Sequence, residues 1–118
     1  MVTIDLFKNS ENTVPFAMGQ KIFNTGDVGD KMYVVVRGQV QLLVKDRIVE
    51  ELGPGGVLGE MSLIDSAPRS ATAIAVTACA LAAIDEKRFK FLVQQTPNFA
   101  LQIMRVIADR LRRMDSQL

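Results

Sequence analysis

Between Gly53 and Thr72 the chain places a glycine-dense turn, then Glu60 at the head of a short apolar segment, then Arg69 directly behind a proline. Together these offer backbone N–H groups, one acceptor and one planar cation around a small space. Gly59 lets the backbone approach a ligand closely, and a helical turn over Glu60 to Ile64 would aim its free N–H groups at an anion. A carboxylate such as Glu60 does not hold phosphate, but it accepts hydrogen bonds from sugar hydroxyls. The plainer alternative is an exposed first-turn acid favoured by the helix dipole. Pro68 fixes the chain leading into Arg69, so the guanidinium sits on a stiff mount. Its fork can hold two phosphate oxygens at once, which lysine cannot do. The plainer alternative for Arg69 is a surface arginine, or one paired with Asp65. Ser70 adds a backbone N–H and a hydroxyl. Each residue alone says little; positions 59 to 70 together describe a site for a phosphate joined to a sugar.

Composition narrows what can surround such a site. The 118 residues fit one domain able to bury a core without disulfides or metals. A net charge of +1 gives no electrostatic case for wrapping nucleic acid or coating an anionic membrane. Histidine is absent, which removes the commonest general base and the commonest metal ligand. The single cysteine, Cys79, excludes an internal disulfide and indicates a reducing compartment, so a cytoplasmic location is expected. The N-terminus lacks the pattern of a secretory signal, and the longest apolar run, Ala71 to Ile84, is too short to span a membrane. The glycine spacing matches neither the dinucleotide fingerprint nor the P-loop, and Glu60 with Asp65 makes a poor acid–base pair. No enzyme is expected.

The elements that must position the site are short strands followed by helices. Ile4, Leu6 and Phe7 anchor a turn or so of helix over Thr3 to Asn9. Strands are expected over Val14 to Ala17, Gln20 to Phe23, Met32 to Val36, Val40 to Val44 and Ile48 to Leu52, with a tight hairpin at Arg37-Gly38. In Ala71 to Ile84 seven alanines favour helix, whereas alternation and the Thr77-Ala78 break favour two strands. Asp85 caps a helix to Gln95 that buries Phe89, Leu92 and Val93, and Thr96-Pro97 restarts a second helix. On it Phe99, Ile103, Ile107, Leu111, Met114 and Leu118 form one stripe, widened by Leu101, Met104 and Ala108. A stripe that broad suits packing on the strands and meeting a second helix. Arg110, Arg112 and Arg113 suit the C-terminal dipole; a basic nucleic-acid patch is the sharper alternative.

The run Leu-Gly-Glu-Met-Ser, five residues, then Pro-Arg-Ser-Ala-Thr (58 to 72) resembles the phosphate-binding cassette of cyclic nucleotide-binding domains. That family includes the catabolite activator protein and the protein kinase A regulatory subunits. The segment from Gly26 to Val40 is similar to the family's turn–strand–turn–strand signature. The resemblance implies a single domain over residues 1–118, mainly β with terminal helices. It consists of an eight-stranded antiparallel β-roll (about 13–84), a short phosphate-binding helix and two C-terminal helices (about 85–118). By this resemblance Glu60 accepts from the ribose 2′-hydroxyl and Arg69 pairs the cyclic phosphate. Met61 and Ser70 lend backbone N–H groups, Ser62 belongs to the cassette, Gly59 admits the ribose, and Leu58 and Ala71 lie near the ligand. The last helix, around Arg113 to Asp115, covers the base. Leu58 stands where the family often carries an aromatic or isoleucine, Met61-Ser62 where Leu-Ala is usual, and Ser70 where many members have alanine or threonine. The implied function is a regulatory module for a cyclic purine nucleotide, cAMP with cGMP as the alternative, needing no cofactor or metal. It would relay binding through the C-terminal helix to a second copy or an effector protein. The competing reading is a β-roll that binds protein partners and no nucleotide.

Overall fold

The computed structural model describes residues 3–115. Eight antiparallel strands form two four-stranded sheets, followed by two helices, with one short helix interposed. In chain order these are β1 Val14–Phe16, β2 Lys21–Phe23, β3 Lys31–Arg37, β4 Val40–Val44, β5 Arg47–Leu52, β6 Val57–Leu58, α1 Glu60–Asp65, β7 Thr72–Ala75, β8 Cys79–Asp85, α2 Glu86–Gln95 and α3 Pro97–Asp115. One sheet runs β1-β8-β3-β6 and the other β2-β7-β4-β5.

Strand alternation divides the core in two. Met32, Val34 and Val36 of β3, with Ala82 and Ile84 of β8, face the helices and pack with Phe99, Ile103 and Val106 of α3. Val35 and Leu81, of opposite parity, face Val40, Leu52, Leu58, Ala73 and Ala75 between the sheets. Strands β3 and β8 are therefore covered on both faces, which is why they read as unbroken apolar runs. Burial also decides Ala71 to Ile84: β8 is covered on both faces, and β7 alternates half-buried Thr72 and Ile74 with buried Ala73 and Ala75. Ala73, Ala75, Ala80 and Ala82 fill the closely packed interior of the roll, and packing overrides their helix propensity.

Two local expectations are corrected. Arg37-Gly38 is not a hairpin: β3 and β4 lie in different sheets, and the chain turns a corner there. Gly38 has φ 96°, and a side chain would press on the Ala78 carbonyl, so the corner needs glycine. The true hairpin is β4–β5, turning at Lys45 and Asp46 with φ 51° and 64°. Residues 3–9 form turns and no helix; Ile4 and Phe7 are buried, Leu6 is not, and the Ile4 N–H bonds to the Gly55 carbonyl. Strand β6 carries only two residues, too few to show a period.

The helices follow their caps. The Asp85 side chain accepts from the Arg88 N–H at 2.8 Å, and Pro97 opens α3. Replacing Asp85 by alanine is expected to lower stability by about 1 kcal/mol, read as a shifted urea midpoint at constant slope. On α3 the predicted single stripe divides. Phe99 and Ile103 are buried, joined by Val106, which the stripe does not include, and Ile107 is half-buried, whereas Leu101, Met104, Leu111 and Met114 are exposed; Leu118 lies outside the described residues.

Candidate functional site

Glu60 and Arg69 come together on the wall of one cavity of about 480 Å³ between the β2-β7-β4-β5 sheet, α1 and the distal part of α3. Gly59, Met61, Ser62, Ser70 and Ala71 also line it. A cavity of that size suits a nucleotide-sized ligand. Leu58 does not line it. The residue is fully buried between the sheets, because its β6 parity points it into the core. The glycine-dense turn is also absent from the cavity. The Gly55 N–H goes to the Val35 carbonyl and the Gly56 N–H to the Gly53 carbonyl, joining β5 to β6 and seating the N-terminal segment.

Arg69 is only 5% exposed, and its mount is more elaborate than Pro68 alone provides. Its N–H donates to the Asp27 carbonyl and its carbonyl accepts from the Gly26 N–H, both at 2.8 Å, so the β2–β3 turn clamps the backbone. Nη1 donates to the Gly59 carbonyl at 3.0 Å, and Nη2 to the Lys31 carbonyl at 2.6 Å. The guanidinium lies 4.2 Å from the centre of the Phe23 ring. Asp65 is not its partner; that carboxylate accepts from the Ala67 N–H. Burial lowers the Arg69 pKa, with Tyr33, Asp30, Asp27 and Glu60 acting in the opposite sense. A bound anion would therefore favour the charged form that burial disfavours.

The reason for Gly59 is sharpened too. It heads α1 with φ 77°, and a Cβ would collide with Arg69 Nη1. The space beside it is filled by the arginine fork. Gly29 plays a parallel part, since a Cβ there would lie 2.8 Å from both Arg69 Nε and Ser62 Oγ.

Glu60 is not the exposed acid of the plainer alternative. It is 1% exposed, and Oε1 accepts from Nη1 of Arg110 on α3. Arg110 also donates through Nη2 to the Val57 carbonyl and through Nε to Glu50 at 2.9 Å. Arg113 pairs with Glu50 at 3.1 Å and with Asp109 at 2.9 Å. Burial alone would lower the Arg110 pKa, but Glu60 and Glu50 outweigh it and raise it above the ordinary arginine range. Arg110 and Arg113 thus dock α3 on the roll, while Arg112 and Arg113 also lie in its last turn, where the dipole reading places them. Asp115 closes α3, and the part assigned to its side chain lies outside the described residues.

On the cavity wall, Glu60 Oε2, an acceptor, and Arg69 Nε, a donor, are buried and meet no hydrogen-bond partner among the described residues. Unpartnered buried polar atoms are costly, so one of each sign at one cavity points to a ligand offering a hydroxyl and an anion. Among the described residues no group of acidic, histidine or cysteine side chains is placed to hold a metal, and no helix is long and apolar enough to cross a membrane.

Sequence reasoning missed Phe23, Glu50 and Arg110. Glu50 had a readable signal. It shares strand parity with buried Leu52, so a carboxylate sits on the inward side of β5. Arg110 and Phe23 had none, because their partners are distant in sequence.

The family model described as "Cyclic nucleotide-binding domain" matches residues 13–96. The chain is 36% identical over 108 residues to the Cyclic AMP receptor protein of Thermus thermophilus, covering 87% of this chain and 50% of that protein. It is 43% identical over 72 residues to the cAMP-dependent protein kinase regulatory subunit of Eremothecium gossypii, covering 61% of this chain and 16% of that one. The crystal structure of the Thermus thermophilus Catabolite Activator Protein aligns with a TM-score of 0.83 at 31% identity, covering 97% of this chain and 61% of that chain. The cGMP-bound form of the EAL enzyme Bd1971 aligns with a TM-score of 0.67 at 31% identity, covering 90% and 30%. The chain spans about half the length, or less, of these curated relatives.

Proposed function

The chain belongs to the cyclic nucleotide-binding domain family, and from that premise we propose that it is a non-enzymatic regulatory module whose ligand is a 3′,5′-cyclic purine nucleotide, cAMP. The observation that carries this reading is the pair of unpartnered buried atoms, Glu60 Oε2 and Arg69 Nε, on one cavity wall. Arg69 Nε donates to the cyclic phosphate, assisted by the backbone N–H groups of Met61 and Ser70. Glu60 Oε2 accepts from the ribose 2′-hydroxyl while Oε1 keeps Arg110. Leu42, Val44 and Val49 give the base an apolar wall, and Met114 of α3 approaches it from the opposite element. Because Arg110 ties α3 to the residue that reads the sugar, occupancy favours the docked position of α3, a population shift driven by better contacts in that state. Adenine is favoured over guanine on the strength of the Cyclic AMP receptor protein relative, with cGMP the competitor to test. A single, buried Cys79 supports operation in a reducing cytoplasm.

Thermal melting with cAMP, cGMP, 2′-deoxy-cAMP and 5′-AMP tests this. Saturating cAMP should add about 2.7 kcal/mol of stability at a hundredfold excess over Kd, and 5′-AMP should add little. A flat response to all four would leave a roll that serves protein partners alone.

The exposed residues Leu101, Met104, Leu111 and Met114 follow a heptad-like spacing on α3. This supports a second copy of the chain as the partner of that helix. Met104→Glu combined with Leu111→Glu should shift sedimentation from dimer to monomer and remove any dependence of the melting temperature on protein concentration. A wild-type chain that sediments as a monomer at high concentration would end this part of the proposal.

A further inference from the structure

We infer that Glu50 is a positioning residue of this site, a second anchoring carboxylate that latches the distal half of α3 over the nucleotide cavity and so sets how long the ligand stays. This rests on the binding function proposed above and goes beyond it, because Glu50 lies outside the cassette and on the opposite sheet edge.

The inference starts from how α3 is held. Its first half is fixed by apolar burial, since Phe99, Ile103 and Val106 insert into the core beneath the β1-β8-β3-β6 sheet. Beyond Val106 the described residues supply no fully buried apolar side chain, and Ile107 only flanks the core. Yet this half reaches the cavity, which Arg110, Arg113 and Met114 line. What joins it to the roll is polar. The Glu50 side chain is 8% exposed and uses both oxygens on α3: Oε1 receives Arg110 Nε at 2.9 Å, and Oε2 receives Arg113 Nη2 at 3.1 Å. One carboxylate thus bridges two arginines one turn apart and holds the helix rotation that points Arg110 at Glu60. The structure gives α3 two kinds of attachment, a permanent apolar one and a releasable ionic one.

The location of Glu50 makes the latch conditional. Strand β5 is the edge strand of its sheet, paired only with β4. A displacement of the β4–β5 hairpin carries Glu50 with it, and α3 loses both pairings together. Glu60 by itself retains only the Arg110 contact. Glu50 therefore acts on the ligand through the helix, and its effect should fall on dissociation, where changes within one complex usually appear.

Two measurements test the assignment with Glu50→Gln, Arg113→Gln and the double variant, each first melted to establish that it folds. Without nucleotide, hydrogen exchange should accelerate at 107–115 in either single variant while 99–106 stays protected. With a fluorescent cAMP analogue, stopped-flow displacement should give dissociation roughly tenfold faster in Glu50→Gln. The double variant should be little worse than Glu50→Gln alone, since that change already removes the Arg113 pairing along with the Arg110 one. The penalty for 2′-deoxy-cAMP should remain at its wild-type size, since Glu60 is untouched; a loosened fold would erode that penalty as well. Unchanged exchange at 107–115, or accelerated exchange with unchanged dissociation, overturns the positioning role. If Glu50→Gln fails to fold, Arg113→Gln carries the same two expectations. If the wild-type chain binds no cyclic nucleotide, the proposed function fails, and the nucleotide-free exchange experiment still decides the latch by itself.

Discussion

Replacing Arg69 by alanine is expected to weaken cAMP binding by about 2–5 kcal/mol, roughly 30-fold to several thousand-fold, the range found when one partner of a buried, hydrogen-bonded charge pair is removed. The expectation is large because the guanidinium is 5% exposed, its Nη groups are held in place by one bond each to the Gly59 and Lys31 carbonyls, and Nε is a buried donor with no partner among the described residues. Alanine also removes the ring contact with Phe23 and the bonds donated to the Gly59 and Lys31 carbonyls, so stability should fall as well. Arg69→Lys separates these effects. An ammonium keeps the charge but cannot serve both carbonyls and an anion in one plane, so affinity should fall with less loss of stability. Titration calorimetry checks both variants, and wild-type affinity in the alanine variant would remove Arg69 from the phosphate role.

Glu60→Ala is expected to act on stability and on ligand discrimination together. It leaves Arg110 buried with only Glu50 and the Val57 carbonyl, and breaking one arm of a buried pair costs about 3 kcal/mol, at the low end because the second carboxylate persists. Urea unfolding without nucleotide reads this cost. The same change removes the acceptor for the 2′-hydroxyl, worth about 1.5–3 kcal/mol for a hydrogen bond to a charged group. The wild type should therefore bind cAMP at least tenfold more tightly than 2′-deoxy-cAMP, and the variant should bind the two alike. A variant that still discriminates would assign the sugar to another residue.

These outcomes also sort what could be read before folding from what could not. The spacing of Gly59, Glu60, Pro68, Arg69 and Ser70 is local, and a twelve-residue segment carries its own backbone constraints. The cassette was therefore visible as a unit, and α1 forms over Glu60–Asp65 where a helical turn was expected. The closing helices were equally legible from Asp85 and Pro97, because capping is a matter of a few neighbouring residues. The two strands of Ala71 to Ile84 were legible only as a choice between propensity and alternation.

What tertiary structure decided is every feature that depends on which distant surfaces meet. Packing of Ala73, Ala75, Ala80 and Ala82 into the interior made strands of an alanine-rich run, and a corner between sheets stands where Arg37-Gly38 reads as a hairpin. Gly59 is small because Arg69 packs against it from ten residues away, not because of its own turn alone. Leu58 belongs to the core despite its place in the cassette, since strand parity outranks adjacency to the site. The bonds from Arg110 to Glu60 and Glu50 cross fifty and sixty residues. An ion pair leaves no period and no motif in a sequence; it exists only once packing of Phe99, Ile103 and Val106 lays α3 across the roll. The sequence by itself therefore determined the chemistry that the cassette can offer. The fold determined which atoms of Glu60 and Arg69 remain for a ligand, because hydrogen-bond satisfaction is settled only when every neighbour is in place.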